Sequence, residues 1–310
     1  MSPMDIVVGI DGSINAALAL DWAAEEAVHR SARLVVTHAS AVLDSAAYSS
    51  ATLDMMRTDA TLHGQRVLTE AITSMNALHP RLPVTILLRY ERPADVLVEL
   101  SGPHSMVVLG SRGGNRVSGA LFGSVAQRVA AHATGTVVVV GAGGRGRNSR
   151  KGILVGVSDS PGGRAALDFA CAEAGLRGSR ITAVRAYGVF GRSQHNQLYG
   201  ALPGFYEHEA AVLSAAVHRL RTEHPGIPID CELVGEEATI ALATLAHDAE
   251  LLVLGCRHLD DHWPSRLGPI TGTLLHHSPC PVAIVGIPQA AAGHDPIRTG
   301  QPATVSGGSR

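Results

Sequence analysis

The sequence predicts an α/β protein built from two tandem, doubly wound, parallel five-stranded sheets related by a pseudo-twofold axis. Three observations predict it. Short runs that are apolar throughout, such as 6–10 (IVVGI) and 106–109 (MVVL), alternate with longer amphipathic segments. Such strands indicate a parallel sheet covered by helices on both faces. The order also repeats: Asp5-Ile-Val-Val-Gly-Ile-Asp11 resembles Gly152-Ile-Leu-Val-Gly-Val-Ser158, and 131–141 resembles 276–286. Gly9 and Gly156 lie 147 residues apart, and Gly123 and Gly268 lie 145 apart. That period is too long for a solenoid and suits a duplicated domain. A chain of 310 residues is long enough for two cores.

The elements follow in order. After the first strand comes a helix with Ala17, Leu20, Ala24 and Val28 on one stripe. Strand two is expected at 34–39, and a long helix ends before His79-Pro80. Strand three spans 84–90, a short helix 94–100, strand four 106–109, a last helix 124–133 and strand five 136–140. The second copy runs through strands at 153–157, 181–186, 229–234, 251–254 and 282–285, with a helix expected at 238–247. The expected domains are 1–142 and 152–289, joined by a glycine-rich polar linker, 143–151, and followed by a disordered tail, 290–310.

Composition excludes several classes. The net charge of −2 gives no electrostatic reason to expect nucleic acid or an anionic membrane. No apolar run is long enough to span a bilayer, and 1–11 lacks the pattern of a signal peptide. The cysteines Cys171, Cys231, Cys256 and Cys280 form no CxxC pair and fit reduced thiols in a cytoplasmic protein. The single lysine, Lys151, lies in the linker and no GxxxxGK[ST] exists, so this is not a P-loop NTPase.

The motif carrying chemistry is Gly110-x2-Gly113-x9-Gly123-Ser124. A strand, glycines and a helix N-terminus form a phosphate cradle. Gly110 and Gly113 would let backbone approach a ligand, and Gly123, Ser124 and Val125 would offer amides and a hydroxyl. Asp11 is placed to meet a base or ribose, and Arg112 and Arg116 to meet phosphates. Spacing alone fits equally well a glycine-rich loop ending in a Ser-initiated helix with no ligand. The second copy keeps Gly156, Gly255 and Gly268 but has Ser158 for Asp11, His258 for Gly113 and Pro269 for Ser124. These changes suggest a weakened second site; in the alternative, His258 is itself a phosphate ligand.

Other signals yield to blander readings. Cys256, His258, Asp260, Asp261 and His262 read as a solvated loop, not a metal site. Gly141-x-Gly-x-x-Gly146 leads into a charged linker instead of a helix, so it is not a dinucleotide fingerprint. No catalytic triad or carboxylate pair can be read, so no catalytic residue is assigned.

The opening strand–Asp–Gly–Ser, the glycine motif and the closing valine-rich strand resemble the universal stress protein family, in two tandem copies up to about Pro288. The resemblance implies an ATP site, with magnesium in some members, made from Gly9, Asp11, Ala39, Gly110, Ser111, Arg112, Gly113, Gly114, Asn115, Arg116, Gly123, Ser124 and Val125. It implies at most slow ATPase activity and a nucleotide-dependent stress-response regulator with an unnamed protein partner. It also implies association through the last strands, 136–140 and 282–285, and hence a homodimer. The alternatives are a nucleotide-independent interaction scaffold and a true ATPase.

Overall fold

The computed structural model describes residues 4–41, 49–112, 123–141, 152–188, 204–256 and 267–286. The linker and the tail lie outside them. The first half runs β1 (Asp5–Gly9), α1 (Ile14–Arg30), β2 (Arg33–Ala39), α2 (Ser50–Leu78), β3 (Val84–Arg89), α3 (Pro93–Leu100), β4 (Ser105–Gly110), α4 (Ser124–His132) and β5 (Thr136–Val140). The second repeats it: β6 (Ile153–Gly156), α5 (Pro161–Arg177), β7 (Ile181–Gly188), α6 (Phe205–Glu223), β8 (Ile229–Glu237), α7 (Ala238–Leu245), β9 (Leu251–Gly255), α8 (Pro269–His277) and β10 (Val282–Val285).

The strands form one ten-stranded sheet in the order β3-β2-β1-β4-β5-β10-β9-β6-β7-β8. Each half is a parallel five-stranded sheet, as expected. The halves join through β5 and β10, which pair antiparallel, with Val282 opposite Val139 and Ile284 opposite Val137. The pairing that the family resemblance assigns to two copies is therefore made within one chain. Helices α1, α2, α5 and α6 cover one face, and α3, α4, α7 and α8 cover the other. The central strands are buried on both faces, which is why they read as unbroken apolar runs.

Local chemistry fixes the helix ends. Ser13 caps α1 by accepting a hydrogen bond from the Ala16 amide at 3.2 Å, and Ser160 caps α5 in the same way through Gly163. Helix α1 ends on Ser31 in the left-handed region (φ 52°), where α5 has Gly178.

The stripe expected on α1 is only half right. Leu20 and Ala24 are buried, but Ala17 and Val28 are exposed. The buried face turns instead through Ala16, Ala19, Ala23 and Ala27 and includes Trp22 and Glu26. The reason is that α1 packs on the sheet, on α2 and, across the seam, on α5. Glu26 and Glu173 are both fully buried. Arg30 pairs with Glu26 and Glu173, and so does Arg177. Each guanidinium also stacks on the aromatic ring of the opposite helix: Arg30 on Phe169 at 5.8 Å and Arg177 on Trp22 at 5.5 Å. Trp22, Glu26 and Arg30 recur at the 147-residue spacing as Phe169, Glu173 and Arg177. The duplication thus builds a crossed clamp between the halves. Burial and the nearby Glu173 push the Glu26 carboxyl above its ordinary range, against the two arginines.

Cysteine exposure gives a direct check of the packing. Cys171, Cys256 and Cys280 are buried and Cys231 is exposed. Burial pushes the Cys171 thiol up to about 11, so little reactive thiolate forms there. A disulfide reagent is expected to titrate one thiol rapidly in native buffer and all four in denaturant. Cys231→Ser should remove the fast phase; a fast phase that survives this change would contradict the packing.

Candidate functional site

The C-terminal ends of the first-half strands meet at one rim. Gly9 closes β1, Ala39 closes β2 and Gly110 closes β4. In register, Gly9 stands beside Thr37 of β2 and Leu109 of β4. The crevice between β1 and β4 is where strand order reverses, the place where open α/β sheets hold ligands. Asp11 and Gly12 follow β1, and Gly12 takes φ +80°. The Ser13 amide donates to Asp11 Oδ1 at 3.0 Å, which fixes that exposed carboxylate at the crevice mouth. The Ser13 hydroxyl also reaches the Arg112 carbonyl at 3.5 Å, tying the loops after β1 and β4 together.

Of the motif, Gly110, Ser111, Arg112, Gly123, Ser124 and Val125 lie at this rim. Gly113, Gly114, Asn115 and Arg116 lie outside the described residues. The Gly123 amide donates to the Ser111 carbonyl at 2.9 Å, so the two ends of the loop are stitched together. Gly123 is the N-cap of α4 and no side chain caps this helix. Ser124 opens the helix as its first residue, exposed, one place after the cap. The first-turn amides of a helix have no acceptor within it, and the helix dipole adds partial positive charge there.

Two glycines also have packing reasons that spacing does not reveal. A Cβ on Gly110 would come within 2.7 Å of the Asn15 backbone, and one on Gly9 within 2.9 Å of the Leu97 and Leu109 side chains. Gly110 is needed because the end of β4 touches the start of α1.

In the second half, Gly156 and Gly255 end β6 and β9, and Gly268 caps α8. Pro269 occupies the first turn of α8, so one amide donor is missing there. His258, Asp260, Asp261 and His262 lie outside the described residues. The second rim is also more crowded. Gly162 packs so tightly on β9 that a Cβ would sit 2.2 Å from the Cys256 carbonyl oxygen. Tyr187, in the place of Ser40, meets Tyr206 and Phe205 at 5.9 and 6.3 Å between ring centres.

Sequence reasoning missed one matched pair. His38 is buried in β2, and its Nδ1 donates to the Ile10 carbonyl at 2.9 Å. Its ring packs over Gly64 of α2. At the corresponding positions Arg185 donates to the Val157 carbonyl at 3.1 Å and pairs with Glu209. The joint change from His and Gly to Arg and Glu was the available signal once the two copies were aligned. It fills the space beneath the second rim with a salt bridge.

Comparison with known proteins agrees with this architecture. The profile of the Universal stress protein family matches residues 4–141 and again 149–286. A universal stress protein of Mycobacterium tuberculosis H37Rv is 26% identical, with 93% of this chain and 97% of the relative covered. One from Mycolicibacterium smegmatis is 25% identical, covering 90% and 96%. The crystal structure of a universal stress protein from Archaeoglobus fulgidus superposes with a TM-score of 0.67 over 92% of this chain and 96% of that one, at 16% identity, which speaks to the fold. No helix among the described residues is long and apolar enough to cross a membrane. With the family profile matched twice over nearly the whole chain, the protein belongs to the universal stress protein family, as a tandem of two domains.

Proposed function

We propose that the first half binds an adenine nucleotide, ATP, and that the nucleotide-bound form is the state that engages a protein partner in a stress response. The observation carrying this reading is the contrast between the two rims. The first keeps the full glycine motif, the first-turn amides of α4, Ser124, Arg112 and an exposed Asp11 at a crevice. The second carries Pro269 in α8 and the Tyr187 cluster at β7. The donor set fits a phosphate chain: backbone amides, a hydroxyl and a guanidinium. Asp11 would meet the ribose or base, and Ala39 would border the adenine. ATP supplies negative charge that this rim can neutralise, and the single lysine leaves no lysine to stabilise rapid hydrolysis. For binding to act as a signal, the partner-competent conformation must hold ATP more tightly than the other.

The test is to denature the purified protein, identify any released nucleotide by mass and measure its ratio to chain. One ATP per chain is the expected result. Asp11→Ala should lower that occupancy with the fold intact by circular dichroism. Two per chain would overturn the assignment to the first half alone. None, with no calorimetric binding of added ATP and magnesium, would overturn the reading and favour an interaction scaffold.

A further inference from the structure

The seam between the halves carries two clefts that the duplication should have made alike. One lies between the first rim and the end of α8, and the other between the second rim and the end of α4. Their linings correspond at the 145-residue spacing. In the second cleft the wall is Ala131, Ala133 and Gly135, facing Cys256. In the first, the same positions are His276, Ser278 and Cys280, facing Ser111. The first cleft also takes in Arg112, His277 and Asn15 and encloses about 240 Å³, against about 10 Å³ for the second. One copy is nearly filled, with small apolar side chains around it; the other is roomier and carries donors.

We propose that the first cleft binds a phosphate group, and that the second domain supplies His276 and His277 in trans to the rim of the first. Among the described residues, the charged and titratable groups lining it are Arg112 from the loop after β4, His276 and His277 at the end of α8, and the Cys280 thiol, with no Asp or Glu beside them. Ser111, Ser278 and the Asn15 amide add neutral donors. Asn15 belongs to the first turn of α1, where the helix dipole favours an anion. Burial, His277 and Arg112 together hold the His276 imidazole below its ordinary range. Arg112 is a fixed positive charge, which an anion seated beside it would offset. The cleft exists only because β5 and β10 pair within the chain, so the site belongs to the tandem arrangement and to neither domain alone. This inference does not rest on ATP binding. The phosphate is either the tail of a nucleotide seated on the first rim or inorganic phosphate.

The test is calorimetry on the full chain at about pH 6, where a seated anion would draw a proton onto the His276 imidazole, with ATP, AMP and inorganic phosphate as separate probes. The variants are His276→Gln and His276→Gln/His277→Gln, each checked for an unchanged melting temperature. Both histidines are exposed, and the single change serves if the double one fails to fold. The expected result is about a tenfold or greater weakening of ATP with AMP unchanged, which identifies a nucleotide tail. A loss confined to inorganic phosphate also supports the cleft and identifies free phosphate. If phosphate binding is lost in the variants while neither nucleotide binds wild type, the cleft stands and the nucleotide reading falls. If ATP or phosphate binds wild type and both variants alike, the cleft assignment is overturned and the nucleotide reading is untouched by it. If no probe binds wild type, both are overturned.

Discussion

Glu173→Ala is expected to cost the folded protein about 3–5 kcal/mol, the cost of breaking a buried ion pair by removing one partner. Glu173 is fully buried at the seam and receives both Arg30 and Arg177. Its removal leaves two guanidiniums with only Glu26 between them, and water cannot easily reach that position. Glu26→Ala should cost about as much, because the clamp is the same viewed from the other half. The double variant should cost less than the sum of the two, since the residues share both arginines. Urea unfolding would measure these losses. Arg128→Ala is the control: its pair with Asp95 is about half exposed on both sides, and such pairs contribute roughly 0–1 kcal/mol. A loss in Glu173→Ala no larger than in Arg128→Ala would rule out the clamp. Replacing all four charged residues with apolar ones of similar volume should be far milder than either single change. The clamp's role is then to fix how the two halves face each other more than to add stability.

Ser124→Pro is expected to weaken ATP binding by roughly ten- to a hundredfold while leaving the fold intact. The change copies Pro269 of the second half into the first. Proline is well tolerated at the first helical position, where the amide has no acceptor within the helix, and α8 already begins this way. What is lost is one amide donor and one hydroxyl at the proposed phosphate end. Hydrogen bonds to charged groups contribute about 1.5–3 kcal/mol each, and even one such loss gives the expected effect. Calorimetry with ATP, beside a melting curve, would measure it. Unchanged affinity with an unchanged melting temperature would remove the α4 N-terminus from the site. A collapsed melting temperature would show that Ser124 is structural.

Much of this protein was legible because its signals are local. Strands buried on both faces must be apolar throughout, so the central strands stood out as runs, and their repetition exposed the duplication. The glycine motif was legible because close backbone approach tolerates few other residues. The α1 face was misjudged because periodicity assumes one buried side. Glu26 looks solvated in sequence and is buried only because Arg30 and Arg177 come to meet it from both halves. Gly110 was read as approaching a ligand, but its missing Cβ already makes room for the Asn15 backbone.

The sequence by itself determined the fold class, the two tandem copies, the family and which copy keeps its glycine motif. These depend on residue types and spacings along the chain. Only the tertiary structure decided how the copies meet. The β5–β10 pairing, the crossed arginine clamp and the unequal clefts all join residues far apart in sequence. Their partners are set by a docking geometry that no local pattern encodes. For the same reason His276, unremarkable at the end of its own helix, comes to face Arg112 of the other half.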